Sequence, residues 1–239
     1  MTIANTSDAV KRAKEWAHQP ITRTIDWTSR VWMSSDYLNQ VPVKAKGLNQ
    51  LLVDTHGAFK HDRTTTVSKI ELAGEAMVLK RYNPRNQWHK IKRALRRSRA
   101  RRCWQMSYAF SEAGLNVATP IMMLEDRFGP FRLDAYFLNE YLEGQELLTL
   151  LPTLDEAQQL KVAEAIDDAF EKMKAARLTH GDLKASNLMW VKSQLYFIDL
   201  DAAQQHSNPV TWMKGHNKDR KRFLKNWQGN RQLLSIFET

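Results

Sequence analysis

The sequence predicts an α+β protein of two lobes, with a β-rich N-terminal lobe and a small, mainly helical C-terminal lobe. Three observations predict this architecture: a β-hairpin pattern near residue 70, a long helical pattern after residue 153, and a second hairpin pattern near residue 190. The chain has 239 residues, 43% of them apolar, so it can bury a core of ordinary size. Its 8 Trp, 9 Phe and 6 Tyr exclude a generally disordered chain, because such chains are poor in aromatic residues.

The chain divides into three stretches. Glu143-Gly144 ends a strand pattern, so the β-rich lobe is predicted over residues 51–142 and the helical lobe over residues 143–239. Residues 1–50 are irregular and are predicted to be an N-terminal extension with one helix, Ser7–His18. The elements predicted in the β-rich lobe are a hairpin of strands 64–72 and 75–81, a helix over 98–113 and a strand over 131–142.

The helical lobe is predicted to open with a long helix. Thr153 and Glu156 have the spacing of a capping box, which satisfies free N–H groups in the first turn of a helix. Strands 188–191 and 195–198 are predicted to form the second hairpin, and the tail over 212–231 is basic, with seven Lys or Arg against one Asp. The apolar residues at helical spacing after the capping box are Leu160, Ala163, Ile166, Phe170 and Met173.

Positive charge is concentrated in one block. Lys plus Arg number 36 and Asp plus Glu 26, which gives a net charge of +10. Residues 80–102 contain 11 of these cations, and no acid occurs over residues 76–111. So basic a chain is expected to meet a polyanion: nucleic acid, an anionic membrane surface or a phosphorylated substrate.

Several classes of protein are excluded by the residues that are rare. Cys103 is the only cysteine, so neither an internal disulfide framework nor a Cys-rich zinc site is possible. No run reaches the roughly 18 apolar residues of a membrane-spanning helix. Residues 1–20 lack an apolar segment and carry two acids, so we expect no secretory signal and a cytoplasmic location.

The strongest chemical signal is H-G-D-L-K-A-S-N at residues 180–187, followed by I-D-L-D at residues 198–201. Phosphoryl transfer needs a carboxylate that accepts or orients the proton of the attacking hydroxyl, and Asp182 fits that task. Mg²⁺ prefers oxygen ligands, which Asn187 and Asp199 supply. The predicted hairpin folds Asp199 back beside the loop, so the three side chains are expected to converge.

A polar loop without function is the alternative interpretation of residues 180–187. The order of helix, motif, hairpin and second aspartate favours the catalytic one. Lys80 ends a predicted strand, where a kinase places the lysine that binds nucleotide phosphates; a surface lysine is its plain alternative. Residues 63–66, including Thr65, form the turn that would cover the phosphates, since no G-x-G-x-x-G occurs.

These motifs resemble the kinase-like superfamily and, more closely, the lipopolysaccharide core-sugar kinases of Gram-negative bacteria, the Kdo and heptose kinase group. The resemblance covers about residues 60–205 and rests on V-L-K-R-Y at 78–82, N-P-R-N-Q-W-H-K at 83–90, S-R-A-R-R-C-W at 98–104, A-T-P at 118–120 and the two catalytic motifs. It implies a two-lobed protein-kinase-like fold and ATP- and Mg²⁺-dependent phosphorylation of an inner-core sugar, heptose or Kdo, at the cytoplasmic face of the inner membrane.

The resemblance also implies roles for individual residues. Asp182 would be the catalytic base, and Lys184 would neutralise the transferred phosphate. Asn187 and Asp199 would hold the metal, and Lys80 the nucleotide phosphates. The backbone of Glu140 to Leu142 would bind the nucleotide base, with an ordinary strand end as an equally weighted alternative.

The chain departs from protein kinases at several positions. Gly181 stands where they carry Arg, and Asp199-Leu200-Asp201 replaces D-F-G. Only 38 residues follow Asp201, so a small lobe without a peptide-binding platform is expected. The acidic partner of Lys80 is open between Glu112 and a substitute at Gln105.

Other functions remain open from the sequence. The basic block over residues 88–102 fits a solvated helix face, a nucleic-acid patch, or a surface for anionic lipid and phosphorylated core sugar. We favour the third, with the lipopolysaccharide core oligosaccharide and the anionic inner-membrane surface as partners and no nucleic acid expected. The rival functions are a kinase of another small hydroxylated molecule and a non-catalytic basic module, binding membrane or nucleic acid, on a kinase scaffold.

Overall fold

A computed structural model describes residues 20–54, 58–61, 65–72, 74–82 and 97–237. The chain forms two compact units. The sheet unit contains the described residues of His18–Gln105 and Thr119–Tyr141, and the helical unit contains those of Met106–Ala118 and Leu142–Thr239.

The helices and strands follow one another along the chain in this order: β1 Ile21–Ile25, β2 Ser29–Ser34, α1 Ala45–Asp54, β3 Ala58–His61, β4 Thr65–Leu72, β5 Glu75–Tyr82, α2 Arg99–Glu112, β6 Asn116–Val117, β7 Pro120–Phe128, β8 Phe131–Glu140, β9 Gln145–Glu146, α3 Leu147–Leu150, α4 Glu156–Ala175, β10 Leu178–Thr179, β11 Leu188–Val191, β12 Gln194–Phe197, β13 Gln204–Gln205, α5 Pro209–Lys225 and α6 Arg231–Phe237. Short 3₁₀ turns cover Ser35–Tyr37, Leu151–Thr153, Ala185–Asn187 and Leu200–Ala202. In the described part of the chain, no helix has the length and apolar character needed to cross a membrane.

The sheet unit is built on seven antiparallel strands in the order β1-β2-β7-β8-β5-β4-β3. The predicted hairpin is present as β4 and β5, whose register pairs Thr65 with Tyr82 and Leu72 with Glu75. One face of the sheet packs around Leu48 of α1, and alternate side chains of the central strands complete this core. Its buried residues are Val31, Met33, Val41, Leu48, Ile70, Met77, Leu79, Ile121, Met122, Leu124, Tyr136 and Leu138.

From the sequence, residues 1–50 were predicted to be an N-terminal extension separate from the two lobes. The described part of this stretch contributes β1 and β2, which add to the β7 edge of the sheet, and most of α1, which supplies Leu48 to the core. These strands escaped detection because β1 alternates polar and apolar residues that are mostly exposed. The helix predicted over Ser7–His18 lies outside the described residues.

The core of the helical unit surrounds α4. The buried face of this helix carries Val162, Ile166, Phe170 and Met173, which pack against α5, α6 and the second hairpin. Leu160 was predicted on this face, but it is 49% exposed. With a rotation of 100° per residue, Leu160 projects away from the buried face of the helix. The residues that face inward near it are Gln159, Val162 and Ala163.

The predicted capping box at the start of α4 is also displaced. Asp155 is the N-cap: its Oδ1 accepts from the Gln158 N–H at 2.8 Å, and the Gln158 Oε1 accepts from the Asp155 N–H at 3.2 Å. Thr153, which was expected to cap the helix with Glu156, lies in the preceding 3₁₀ turn and donates to the Leu150 carbonyl at 2.7 Å. The sequence therefore holds two overlapping capping patterns, and the one with the aspartate forms.

The second hairpin consists of β11 and β12, with Leu188 opposite Phe197 and Val191 opposite Gln194. Strands β6 and β9 flank it to make a four-stranded sheet. This arrangement places the motifs at 180–187 and 198–201 at one end of the hairpin.

Candidate active site

The loop over residues 180–187 is attached to the hairpin through a buried histidine. The His180 side chain has no exposed surface, and its Nε2 lies 2.9 Å from the Ile198 carbonyl oxygen. Its Nδ1 accepts the Asp182 N–H at 3.4 Å, so Nε2 is the nitrogen that donates to Ile198. Burial lowers the pKa of His180, which favours this neutral form. The histidine thus holds Asp182 close to the residue that precedes Asp199.

Gly181 occupies a backbone conformation that suits glycine alone. Its φ is +80°, in the left-handed region, and a Cβ at this position would collide with the carbonyl oxygen of Ala202. The substitution of glycine for the arginine of protein kinases is therefore explained by the close approach of the segment after Asp199. No side chain fits between the two motifs at this point.

The Asp182 carboxylate is held from both sides. Its Oδ2 accepts from Lys184 Nζ at 3.0 Å, and its Oδ1 accepts from Arg222 Nη1 in a short contact. Arg222 also donates to the Gly181 carbonyl at 3.1 Å. The carboxylate retains 30% of its exposure, so it is both oriented and accessible to a reactant.

Asn187 and Asp199 lie at neighbouring strand ends. The Asn187 side-chain amide donates to the Asp182 carbonyl at 2.8 Å, so its Oδ1 is the atom that it offers to a cation. The Ile198 N–H donates to the Asn187 carbonyl at 3.0 Å, which places Asp199 one residue beyond this bridge. Asp199 itself adopts a left-handed conformation with φ 61° and ψ 52°.

This pair of residues is suited to a hard cation. No group of three or more His, Cys, Asp or Glu in the described chain is arranged to hold a metal by itself. One amide oxygen and one carboxylate fit Mg²⁺, which usually takes one or two protein carboxylates and completes its shell with water and substrate phosphates. These two oxygen donors therefore fit a Mg²⁺ ion that binds together with a nucleotide.

Two residues of α5 support the loop and were not identified from the sequence. Asp219 is 1% exposed, and its Oδ2 accepts the N–H groups of His180 at 2.7 Å and Gly181 at 3.1 Å. Arg222, one turn later, binds Asp182. In the sequence Asp219 stands out as the single acid of the basic tail, but its burial and its partners are visible only in the structure.

The other predicted site residues are distributed over both units. In the sheet unit, Lys80 lies on β5 between Val67 and Phe137, and Thr65 begins β4 with its hydroxyl accepting from Arg99 at 3.0 Å. Residues 63 and 64 of the turn that was assigned to the phosphates lie outside the described residues. The role of Thr65 in phosphate binding and that of Lys80 therefore stay predictions.

The segment assigned to the nucleotide base begins at the end of β8. In the sheet unit, Glu140 accepts from the hydroxyl and N–H of Thr119 at 2.8 and 3.3 Å. In the helical unit, Leu142 is buried among Ala118, Val191 and Tyr196. Their assignment to the base stays a prediction, and so does the acidic partner of Lys80.

The chain is similar to one protein family and to two known proteins. The family model described as "Lipopolysaccharide kinase (Kdo/WaaP) family" matches residues 54–233. A solved structure described as "WaaP in complex with acyl carrier protein" is similar with a TM-score of 0.57 and 18% identity, over 80% of this chain and 81% of that one. A segment of 65 residues is 37% identical to the KEOPS complex subunit Bud32 of Pyrococcus abyssi, covering 27% of this chain and 30% of that protein.

The structural match confirms the predicted two-lobed α+β kinase fold. Kinase-family membership supports phosphotransferase activity and implies the use of ATP. The matched region covers about three quarters of the 239 residues and includes the motifs at 180–187 and 198–201. The chain therefore belongs to the lipopolysaccharide kinase (Kdo/WaaP) family.

Proposed function

We propose that this protein transfers the γ-phosphate of ATP to a sugar hydroxyl, on heptose or Kdo, in the inner core of lipopolysaccharide. The observation that carries the proposal is the Asp182 carboxylate, which Lys184 and Arg222 hold beside Asn187 on one loop. Family membership supports the class of reaction and substrate. A kinase of another hydroxylated molecule would share this loop, so the acceptor is what the experiment must decide.

In the proposed reaction, Asp182 orients the acceptor hydroxyl and takes its proton. The hydroxyl oxygen forms a bond to the γ-phosphorus, the bond from that phosphorus to the β–γ bridging oxygen breaks, and ADP leaves. Lys184 Nζ, 3.0 Å from the Asp182 carboxylate, would balance the charge of the transferred phosphoryl group. Asn187 and Asp199 would hold Mg²⁺, which would neutralise charge on the phosphates, and Lys80 would bind nucleotide phosphate oxygens.

We further propose that the protein works in the cytoplasm, peripherally on the inner membrane. Its acceptor is a glycolipid, and its net charge of +10 favours an anionic surface. The block over residues 80–102 supplies much of that charge.

The test is transfer of labelled phosphate from ATP, with Mg²⁺, to lipopolysaccharide isolated from a strain that lacks this protein. Asp182→Asn keeps the size of the side chain and removes the base. Asp168→Asn is the matched control, because Asp168 is an exposed carboxylate of α4 that pairs with Lys172. We expect at least about a 100-fold loss for Asp182→Asn and wild-type transfer for the control.

Equal transfer by wild type and Asp182→Asn would contradict the proposed mechanism. If wild type binds ATP but labels other hydroxyl compounds and not lipopolysaccharide, the acceptor is wrong and the chemistry stands. If it neither binds ATP nor transfers phosphate, a non-catalytic role replaces the proposal.

A further inference from the structure

Two arginines of the sheet unit lie over one tryptophan ring, and two further arginines lie near them. The guanidinium carbons of Arg23 and Arg101 lie 5.2 and 4.6 Å from the centroid of the Trp32 ring. Arg30 lies two residues before Trp32 on β2, so both side chains project from the same face of the sheet. Arg97 and Arg30 are close enough to act electrostatically on Arg101. We call Arg23, Arg30, Arg97 and Arg101 the arginine cluster.

The carboxylate that faces the four positive charges of this cluster is Glu125, which is buried directly opposite Arg30 on β7. Arg101 Nε is buried and makes no hydrogen bond within the described residues. Burial lowers the pKa of Arg101 and its three neighbouring arginines lower it further, against the opposing effect of Glu125. Glu125 is itself engaged by Arg127 at 3.2 Å. Clustered guanidinium groups with spare donors are suited to bind phosphate.

The tips of two adjacent hairpins expose large apolar side chains. Trp27 in the β1–β2 turn is 73% exposed and Ile25 is 66% exposed, while Phe128 and Phe131, paired across the β7–β8 turn, are 72% and 47% exposed. The two turns touch, since the Gly129 N–H donates to the Trp27 carbonyl at 3.0 Å. We call Ile25, Trp27, Phe128 and Phe131 the apolar tip. Such a concentration of exposed aromatics marks an interaction site.

The arginine cluster and the apolar tip adjoin on the β1–β2 hairpin. Ile25 lies directly opposite Arg30, and Arg23 lies directly opposite Trp32, so these four side chains share a face of the hairpin. The acid of the turn, Asp26, accepts hydrogen bonds at 2.6–3.0 Å from groups inside the turn. Both of its oxygens therefore bind groups of the turn itself, and neither is engaged by an arginine of the cluster.

We propose that this surface docks on a bilayer that contains anionic phospholipid, with the arginine cluster on the lipid phosphates and the apolar tip in the interfacial region. Aromatic rings beside arginines are the combination that membrane interfaces favour. Three residues of this surface, Arg23, Trp27 and Arg30, precede the matched family region, which begins at residue 54. The inference deepens the proposed membrane association and is independent of the proposed phosphoryl transfer.

The experiment measures sedimentation of the full chain with vesicles that contain phosphatidylglycerol and with vesicles of phosphatidylcholine alone. The first variant, Arg23→Gln/Arg30→Gln, removes two charges of the cluster, and the second, Trp27→Ser, removes the centre of the tip. The matched control is Lys44→Gln/Lys46→Gln. Both lysines are exposed and line a cavity of about 450 Å³ together with Thr22 and Thr24. Because these threonines alternate with Arg23 along β1, the two lysines lie on the face of the sheet opposite to the arginine cluster.

We expect wild type and the lysine control to bind anionic vesicles alike. The arginine variant should bind about 30-fold more weakly and with a smaller dependence on salt, as expected for two basic residues at an anionic surface. Trp27→Ser should bind about tenfold more weakly with an unchanged salt dependence, because it removes apolar contact and no charge. Thermal melting checks that each variant is folded.

Three outcomes would overturn the inference. If wild type binds vesicles and the two variants bind as well as the lysine control, the membrane surface lies elsewhere. If wild type does not bind anionic vesicles, both the docking surface and the membrane association are wrong. If the arginine variant loses binding to a single-stranded oligonucleotide and keeps vesicle binding, the surface is one for nucleic acid. Phosphate transfer to deacylated, water-soluble core oligosaccharide tests the kinase reaction separately in every case.

Discussion

Asp182 owes its orientation to two cations that come from different parts of the helical unit. Lys184 belongs to the same loop and could be identified from the motif, whereas Arg222 lies 40 residues later on α5. Arg222 also donates to the Gly181 carbonyl, so it ties the backbone and the side chain of the loop together. We therefore regard Arg222 as a positioning residue for the proposed base.

We predict that Arg222→Gln lowers kcat about 10- to 100-fold and leaves KM for ATP within about twofold, because it removes a charge-assisted hydrogen bond that orients Asp182. Arg222→Lys should recover part of the activity, since it restores the charge without the second hydrogen bond. Lys225→Gln, in the last turn of the same helix and exposed, is the control. Steady-state kinetics of the three variants tests this, and a wild-type kcat for Arg222→Gln would exclude the positioning role.

At the scale of elements, the sequence predicted the hairpins well and the polar details of their surroundings less well. Strands 64–72 and 75–81 match β4 and β5 within one residue, because β-branched runs around a glycine turn are a strong local signal. The loop 180–187 could be predicted as a motif. Its support by Asp219 could not, because that contact joins residues 38 and 39 positions apart and no local pattern encodes it.

The capping of α4 shows how two local patterns compete. Asp155 and Gln158 form the reciprocal pair, and Thr153 makes a 3₁₀-type bond instead. We predict that Asp155→Ala lowers the free energy of unfolding by about 1 kcal/mol, as is usual for the loss of an N-cap. Thr153→Ala should cost clearly less, because its bond to Leu150 is exposed. Urea unfolding of both variants decides this, and a larger loss for Thr153→Ala would contradict the assigned cap.

At the scale of the whole molecule, the kinase-like fold followed from the order of the motifs, and the family and structural matches confirm it. The strands of the N-terminal stretch could not be predicted from these motifs. Strand β1 has few buried residues. The place of β2 at the β7 edge depends on pairing with residues about 90 positions later in the chain. Long-range pairing of this kind leaves no trace in a local sequence pattern.

The stretch before the family region is part of the core of the sheet unit, and this has a measurable consequence. Leu48 of α1 is fully buried among side chains of β2, β5, β7 and β8. We predict that Leu48→Ala lowers the free energy of unfolding by about 3 kcal/mol, because it removes buried apolar contact and leaves a cavity. Leu160→Ala is the matched control, since that leucine is 49% exposed and its truncation should change stability by less than about 0.5 kcal/mol. Urea unfolding followed by tryptophan fluorescence and circular dichroism measures both. If Leu48→Ala were as stable as the control, α1 would be an accessory to the sheet; a large loss means that the kinase fold of this chain requires residues that precede its matched family region.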